Sequence, residues 1–237
     1  MSHIRIIPVS TKKGLRTFIK FYTELYKGNK FAVPYLFFDE WNTLSPKKNP
    51  AFDFCEAQYF LAVDEEAKIV GRIAGIINHE ANRQWGKKQV RFGWFDFVDD
   101  LAVSDALLRA VETWGRQKGM NEMVGPLGFT DMDREGMLIE GFDKKSTMFI
   151  NYNFAYYVAH MQAQPLFEKD NDWLEYRIKV PEVTPPKFAK TAEMIEKRYN
   201  LHVRKFTKNE LVKQGMGREV FHIVNETYKD LYDFQQL

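Results

Sequence analysis

The stretch VRFGWFDFVDDLAVSDALLRAVETWGRQKGMNEMV, Val90 to Val124, decides the fold. Its first eight residues, Val90 to Phe97, alternate strongly and read as a strand. Asp99 or Asp100 then supplies a helix cap. Val103, Leu107, Ala110/Val111 and Trp114 make one apolar stripe, and Lys118-Gly119 closes the helix. Met120 to Val124 returns to a strand that runs into Gly125-Pro126.

Upstream, Ile4 to Val9 is a short strand. Ser10 or Thr11 caps a helix whose Leu15, Phe18, Ile19, Tyr22 and Leu25/Tyr26 share a face, ended by Lys27-Gly28-Asn29. A second helix covers Phe37 to Leu44. Ala57 to Asp64 and Ile69 to Asn78 form a hairpin about a Glu65–Lys68 turn. Downstream lie a long loop from Leu127 to about Asn153, a short helix at Tyr156 to Met161 and a strand at Trp173 to Val180. Pro181, Pro185 and Pro186 then mark a linker. Beyond it come a helix at Phe188 to Tyr199, a strand at Leu201 to Lys205 and a helix from Glu210 to about Tyr232. This order predicts an α+β fold, with a sheet of mixed direction flanked by helices and a mainly helical C-terminal extension. The domain reading is 1–180, followed by 181–237. Ile4-Arg5-Ile6 and Leu201-His202-Val203-Arg204 each precede a Thr-Lys step and a long helix, so the extension reads as the start of an incomplete second repeat.

Composition narrows the class. The 237 residues are 45% hydrophobic and 28% charged, which excludes a disordered or low-complexity chain. Net charge is +2, and the basic residues among the first fifty are spread over helix faces and loops, so no nucleic acid is expected as a partner. The single cysteine, Cys55, removes any intrachain disulfide or zinc cluster, and no metal is expected. No apolar run is long enough to span a membrane and no leader is visible, so the expectation is a soluble, cytoplasmic protein. His79-Glu80 fails the zinc-protease pattern because Arg83 stands at the fifth position.

Three blocks add a family resemblance: Gly125-Pro126-Leu127-Gly128-Phe129-Thr130, Gly136-Met137-Leu138-Ile139-Glu140-Gly141-Phe142-Asp143, and Asn153-Phe154-Ala155-Tyr156-Tyr157. With the element order over residues 1–180, they resemble the GNAT N-acetyltransferase superfamily, and in particular a bacterial GNAT-like branch. That branch has the pattern GP-x-x-F-(S/T), then G-x-L-(I/V)-E-G-F-D, then N-P-P-Y-Y. The third block here lacks both prolines. The branch has longer chains with a second GNAT-like half, in keeping with the unfinished repeat.

The resemblance implies transfer of an acyl group from acetyl-CoA or another acyl-CoA to an amine of a small molecule or peptide. It places the CoA pyrophosphate at the turn before the central helix, which makes Val98, Asp99, Leu101 and Ala102 the expected cofactor-binding residues. That turn holds no glycine and no Arg or Gln. Each of its two aspartates, at about 5 Å and an effective dielectric near 20, opposes a phosphate charge by roughly 3 kcal/mol. The plainer reading of Asp99 and Asp100 is helix capping. The resemblance also places Tyr156 or Tyr157 as the acid that protonates the leaving thiolate; packing of two rings against the sheet is the plainer reading. Thr130, Asp131, Asp133, Glu140 and Asp143 lie on a glycine-punctuated loop, and with His79 they are the expected acceptor-binding residues. An ordered loop with carboxylates accepting backbone N–H groups is the plainer reading of that composition. The alternative function is a non-catalytic GNAT-fold ligand-binding or interaction module that has lost the pyrophosphate turn. Finally, the last helix carries an apolar stripe at Val212, Met216, Val220, Ile223/Val224 and Tyr228/Leu231. It is expected to dock on the first domain, with a homodimer through this helix, or a sequence that is a fragment of a longer two-repeat protein, as the other readings.

Overall fold

The computed structural model describes residues 3–232 and 234–236. The chain divides into two units: Met1–Asn171 with Leu231–Gln235, and Asp172–Asp230 with Gln236–Leu237.

The first unit is built on a five-stranded sheet in the order β1 (Arg5–Pro8), β2 (Cys55–Val63), β3 (Ile69–Asn78), β4 (Gln89–Phe97), β5 (Glu122–Val124). The first four strands are antiparallel neighbours, and β5 runs parallel to β4 from Gln89 opposite Glu122 to Arg91 opposite Val124. Between β1 and β2 come α1 (Lys12–Leu25) and α2 (Phe37–Leu44). α3 (His79–Gln84) follows β3, α4 (Leu101–Gln117) joins β4 to β5, and α5 (Tyr156–Gln162) follows the long loop. This is the mixed α+β sheet that the element order predicts.

Alternation decides which helix each strand faces. On β3, Ile73 and Ile77 pack with Val103, Leu107, Leu108 and Val111 of α4. Ala74 and Ile76 pack with Leu15, Phe18 and Ile19 of α1. Each large aliphatic side chain buried in these two clusters contributes about 1.5–3 kcal/mol, so sandwiching the sheet between α1 and α4 dominates the unit's stability. α1 starts where expected, with the Thr11 hydroxyl accepting from Gly14 N at 3.0 Å. The final segment of the unit also belongs here. Phe234 is buried, its carbonyl accepts from Gln84, and the Gln235 side chain accepts from Asn78.

One irregularity matters for function. Along β3, Arg72 faces Asp96 of β4 and Ala74 faces Gly93, so Ile73 lies across from both Trp94 and Phe95. This β-bulge re-aims the strand. Val90, Phe92, Phe95 and Phe97 remain in the cluster with α4, while Trp94 turns to the α1 side with φ of 45°.

The second unit contains α6 (Pro186–Tyr199), α7 (Lys208–Val212) and α8 (Met216–Tyr228). Three expectations need correction here. Trp173 to Val180 and Leu201 to Lys205 form no strand, because no neighbouring strand supplies ladder partners. The helix expected from Glu210 to Tyr232 is two helices, parted at Gly215, whose φ of 82° is left-handed and interrupts the helix. No residue between 172 and 230 is buried.

Candidate active site

The bulge opens a cleft of about 220 Å³ on the α1/α2 side of β4. Its walls come from α2 (Asp39, Glu40), from β3 and β4 (Arg72, Gly93 to Asp96), and from the long loop after β5. Arg72 is 1% exposed, and its guanidinium meets Asp96 at 2.7 Å through both Nε and Nη2. Nη1 donates to the Phe18 carbonyl of α1 at 2.9 Å. Burial pushes the Asp96 carboxyl up, and the Arg72 charge opposes that shift. Glu40, also buried, accepts from Trp94 Nε1 at 2.7 Å and pairs with Arg134. The Arg134 guanidinium lies 3.5 Å over the Tyr35 ring. One carboxylate thus ties α2, the bulge and the loop together. Desolvation raises Tyr35 to about 12, so it stays a neutral phenol at the cleft wall.

The loop is held by its own polar groups. Asp133 Oδ2 accepts from Phe129 N at 2.8 Å and Thr130 N at 3.3 Å. Asn153 clamps Leu138 from both sides, accepting from its N–H at 2.7 Å and donating to its carbonyl at 3.0 Å. Gly93 lets the chain after β5 cross close to β4, since a Cβ there would sit 2.4 Å from the Leu127 carbonyl oxygen. The cleft lining carries four carboxylates (Asp39, Glu40, Asp96, Asp133) against two guanidinium groups (Arg72, Arg134). Met132, Met148 and Phe149 also line it, all three exposed, forming an apolar rim.

The paired tyrosines of α5 take different places. Tyr157 is 1% exposed and lines the cleft. Its hydroxyl oxygen accepts from the Tyr26 hydroxyl at 3.1 Å and from Phe97 N at 3.0 Å. With both lone pairs engaged, its own O–H is left as a donor, with the Tyr156 hydroxyl beside it as a hydrogen-bond partner. Burial holds its pKa well above the usual phenol value, so that proton is retained. Tyr156 instead donates to the Phe97 carbonyl and lies outside the cleft lining.

The turn expected to bind pyrophosphate is occupied by the protein's own groups. Asp100 caps α4, its Oδ1 accepting from Ala102 N at 2.8 Å. Asp99 Oδ1 meets His160 Nε2 at 2.9 Å, and His160 Nδ1 meets the Ser104 hydroxyl at 2.8 Å. Ser104 is fully buried and His160 is 4% exposed, so this Asp–His–Ser chain ties α5 to α4 and offers no accessible nucleophile. Val98, Leu101 and Ala102 lie outside the cleft lining, as does Asp99. With no glycine, no basic side chain and a carboxylate already on the first-turn amide, these residues do not fit a diphosphate.

Of the expected acceptor residues, the structure brings only Asp133 to the cleft. Thr130 accepts from Met132 N, Asp131 is half-buried beside it, and Glu140 and Asp143 are exposed, Asp143 pairing with Lys144. His79 is exposed and pairs with Glu56, which also holds Lys118. The Cys55 thiol is buried, with its pKa pushed up to about 12. Sequence reading missed Arg72, Asp96 and Glu40. A lone arginine and a lone aspartate inside two apolar strands were the available signal for the first two; nothing marked Glu40.

No family model matches the chain. It is 30% identical over 191 residues to Protein YghO of Escherichia coli K12, covering 80% of this chain and 48% of that protein. It is 31% identical over 175 residues to a bacterial ceramide synthase of Caulobacter vibrioides, covering 73% of this chain and 45% of that protein. The chain therefore spans about half the length of these curated relatives. A GNAT-family acetyltransferase structure from Staphylococcus aureus Mu50 is similar at 18% identity and a TM-score of 0.39, covering 53% of this chain and 74% of that one. The strand order of this chain, its parallel β4–β5 pair and the helix between them make a mixed α+β sheet flanked by helices, the arrangement that the resemblance led one to expect.

Proposed function

We propose that the cleft joins an acyl group from a thioester to the amine of a small molecule bearing an alkyl chain. The observation that carries this reading is the Tyr157 hydroxyl, a retained phenolic proton lining a cleft with an excess of carboxylates. In the reaction the acceptor nitrogen forms a bond to the thioester carbonyl carbon, the C–S bond breaks, and the thiolate takes up a proton. In this reading Tyr157 supplies that proton, and the proton lost by the acceptor nitrogen restores it through solvent. The carboxylates of the cleft favour a cationic acceptor, while Met132, Met148 and Phe149 suit an alkyl chain. A relative named as a ceramide synthase supports the same class, because a ceramide is the amide of a fatty acid with a long-chain amino alcohol.

The test is to incubate the chain with octanoyl-CoA and a panel of amines differing in chain length, and to look for the amide by mass spectrometry. Amide from long-chain amino alcohols, and little from short amines, is the expected result. Amine binding with no amide from any donor would instead favour the second reading, a non-catalytic binding module, which the capped turn at Asp99–Asp100 supports.

A further inference from the structure

We propose that the acyl donor is recognised through its acyl-pantetheine arm, with no diphosphate contact at the start of α4; this rests on reading the cleft as the site of acyl transfer. Four observations at that turn agree. The Ala102 amide is already taken by the Asp100 side chain at 2.8 Å, and the Val103 and Ser104 amides bond the Asp100 carbonyl at 3.0 and 3.3 Å. The run Phe97 to Ser104 holds no Lys, Arg or Gly. The Asp99 side chain is 67% exposed, so an arriving phosphate meets a carboxylate before it meets the helix end. Among the described residues, the cation-capable group paired with that carboxylate is His160, itself buried and bonded at both ring nitrogens.

The turn has another task. His160 sits on α5 one helical turn after Tyr156 and Tyr157, and its bonds to Asp99 and Ser104 fix α5 against α4. The helix end that would face a diphosphate instead positions the helix that carries the proton donor. A donor bound here is held by its thioester arm along the cleft, and its diphosphate makes no contact with the start of α4.

The experiment compares the binding of octanoyl-CoA and S-octanoyl-pantetheine to the whole chain by calorimetry, with 3′-phospho-ADP as competitor. Affinities that agree to within about tenfold, with no displacement by the nucleotide, are expected. A larger preference for octanoyl-CoA, toward the roughly 30-fold that a charge at a helix N-terminus can contribute, overturns the inference. So does displacement of octanoyl-CoA by 3′-phospho-ADP. Equal binding of both thioesters without amide formation keeps the inference and overturns the proposed reaction. Binding of neither overturns both.

Discussion

At the scale of single residues, a hydroxyl's partners separate two neighbours that composition treats alike. Tyr156 spends its proton on the Phe97 carbonyl, whereas Tyr157 accepts from the Tyr26 hydroxyl and from Phe97 N. Tyr157→Phe is therefore expected to lower the rate of amide formation by about 100-fold, and Tyr156→Phe by less than about threefold, measured on variants whose melting temperatures show them folded. Because burial keeps Tyr157 protonated, raising the pH from 7 to 10 is expected to bring no loss from phenol ionisation. Cys55 makes a simpler case. With its pKa at about 12, roughly one thiol in ten thousand is ionised at pH 8, so a maleimide is expected to label the protein only after denaturation. Rapid labelling of the native chain would contradict its burial. Asp133→Ala removes the acceptor for two loop amides and is expected to cost about 1–3 kcal/mol in urea unfolding, with Asp133→Asn costing less because its carbonyl can still accept. The glycine-punctuated composition of the loop was legible in sequence. Which of its carboxylates turn inward was not, since Asp131, Asp133, Glu140 and Asp143 differ only in where the backbone aims them.

At the scale of elements, the bulge in β4 is the main departure from what periodicity reveals. Strict alternation from Val90 would put Trp94 with Phe92; the extra residue reverses the phase, and Trp94 reaches Glu40 instead. The strand itself was readable, and the phase slip was not, because only the pairing with β3 exposes it. The same pairing brings Arg72 opposite Asp96. Removing either charge leaves the other buried, so Arg72→Leu and Asp96→Leu are each expected to cost about 3–5 kcal/mol, while the double variant costs clearly less than their sum. Additive losses in urea unfolding would show that the two do not act as a pair. The missing strands at Trp173 to Val180 and Leu201 to Lys205 teach the complementary lesson. Both alternate convincingly, yet a strand exists only where a neighbour completes its ladder.

At the scale of the whole molecule, the mixed α+β sheet, its two helical layers and its order were legible because each rests on a long, strongly patterned segment. The cleft was half legible. The loop and the tyrosines could be named from their motifs, but the charges of its floor come from three elements far apart in sequence: Glu40 on α2, Arg72 on β3 and Asp96 on β4. Among the described residues no helix is long and apolar enough to cross a membrane, and no three His, Cys, Asp or Glu side chains gather as metal ligands. The reaction proposed for the cleft makes one amide for each thioester consumed. Its most direct test is to follow free thiol and amide together, over one time course, in the presence and absence of a long-chain amino alcohol. Thiol and amide are expected in equal amounts, with thiol release falling to background when the amine is left out. Thiol release that continues at the same rate without the amine, or amine binding with no thiol release, would contradict it.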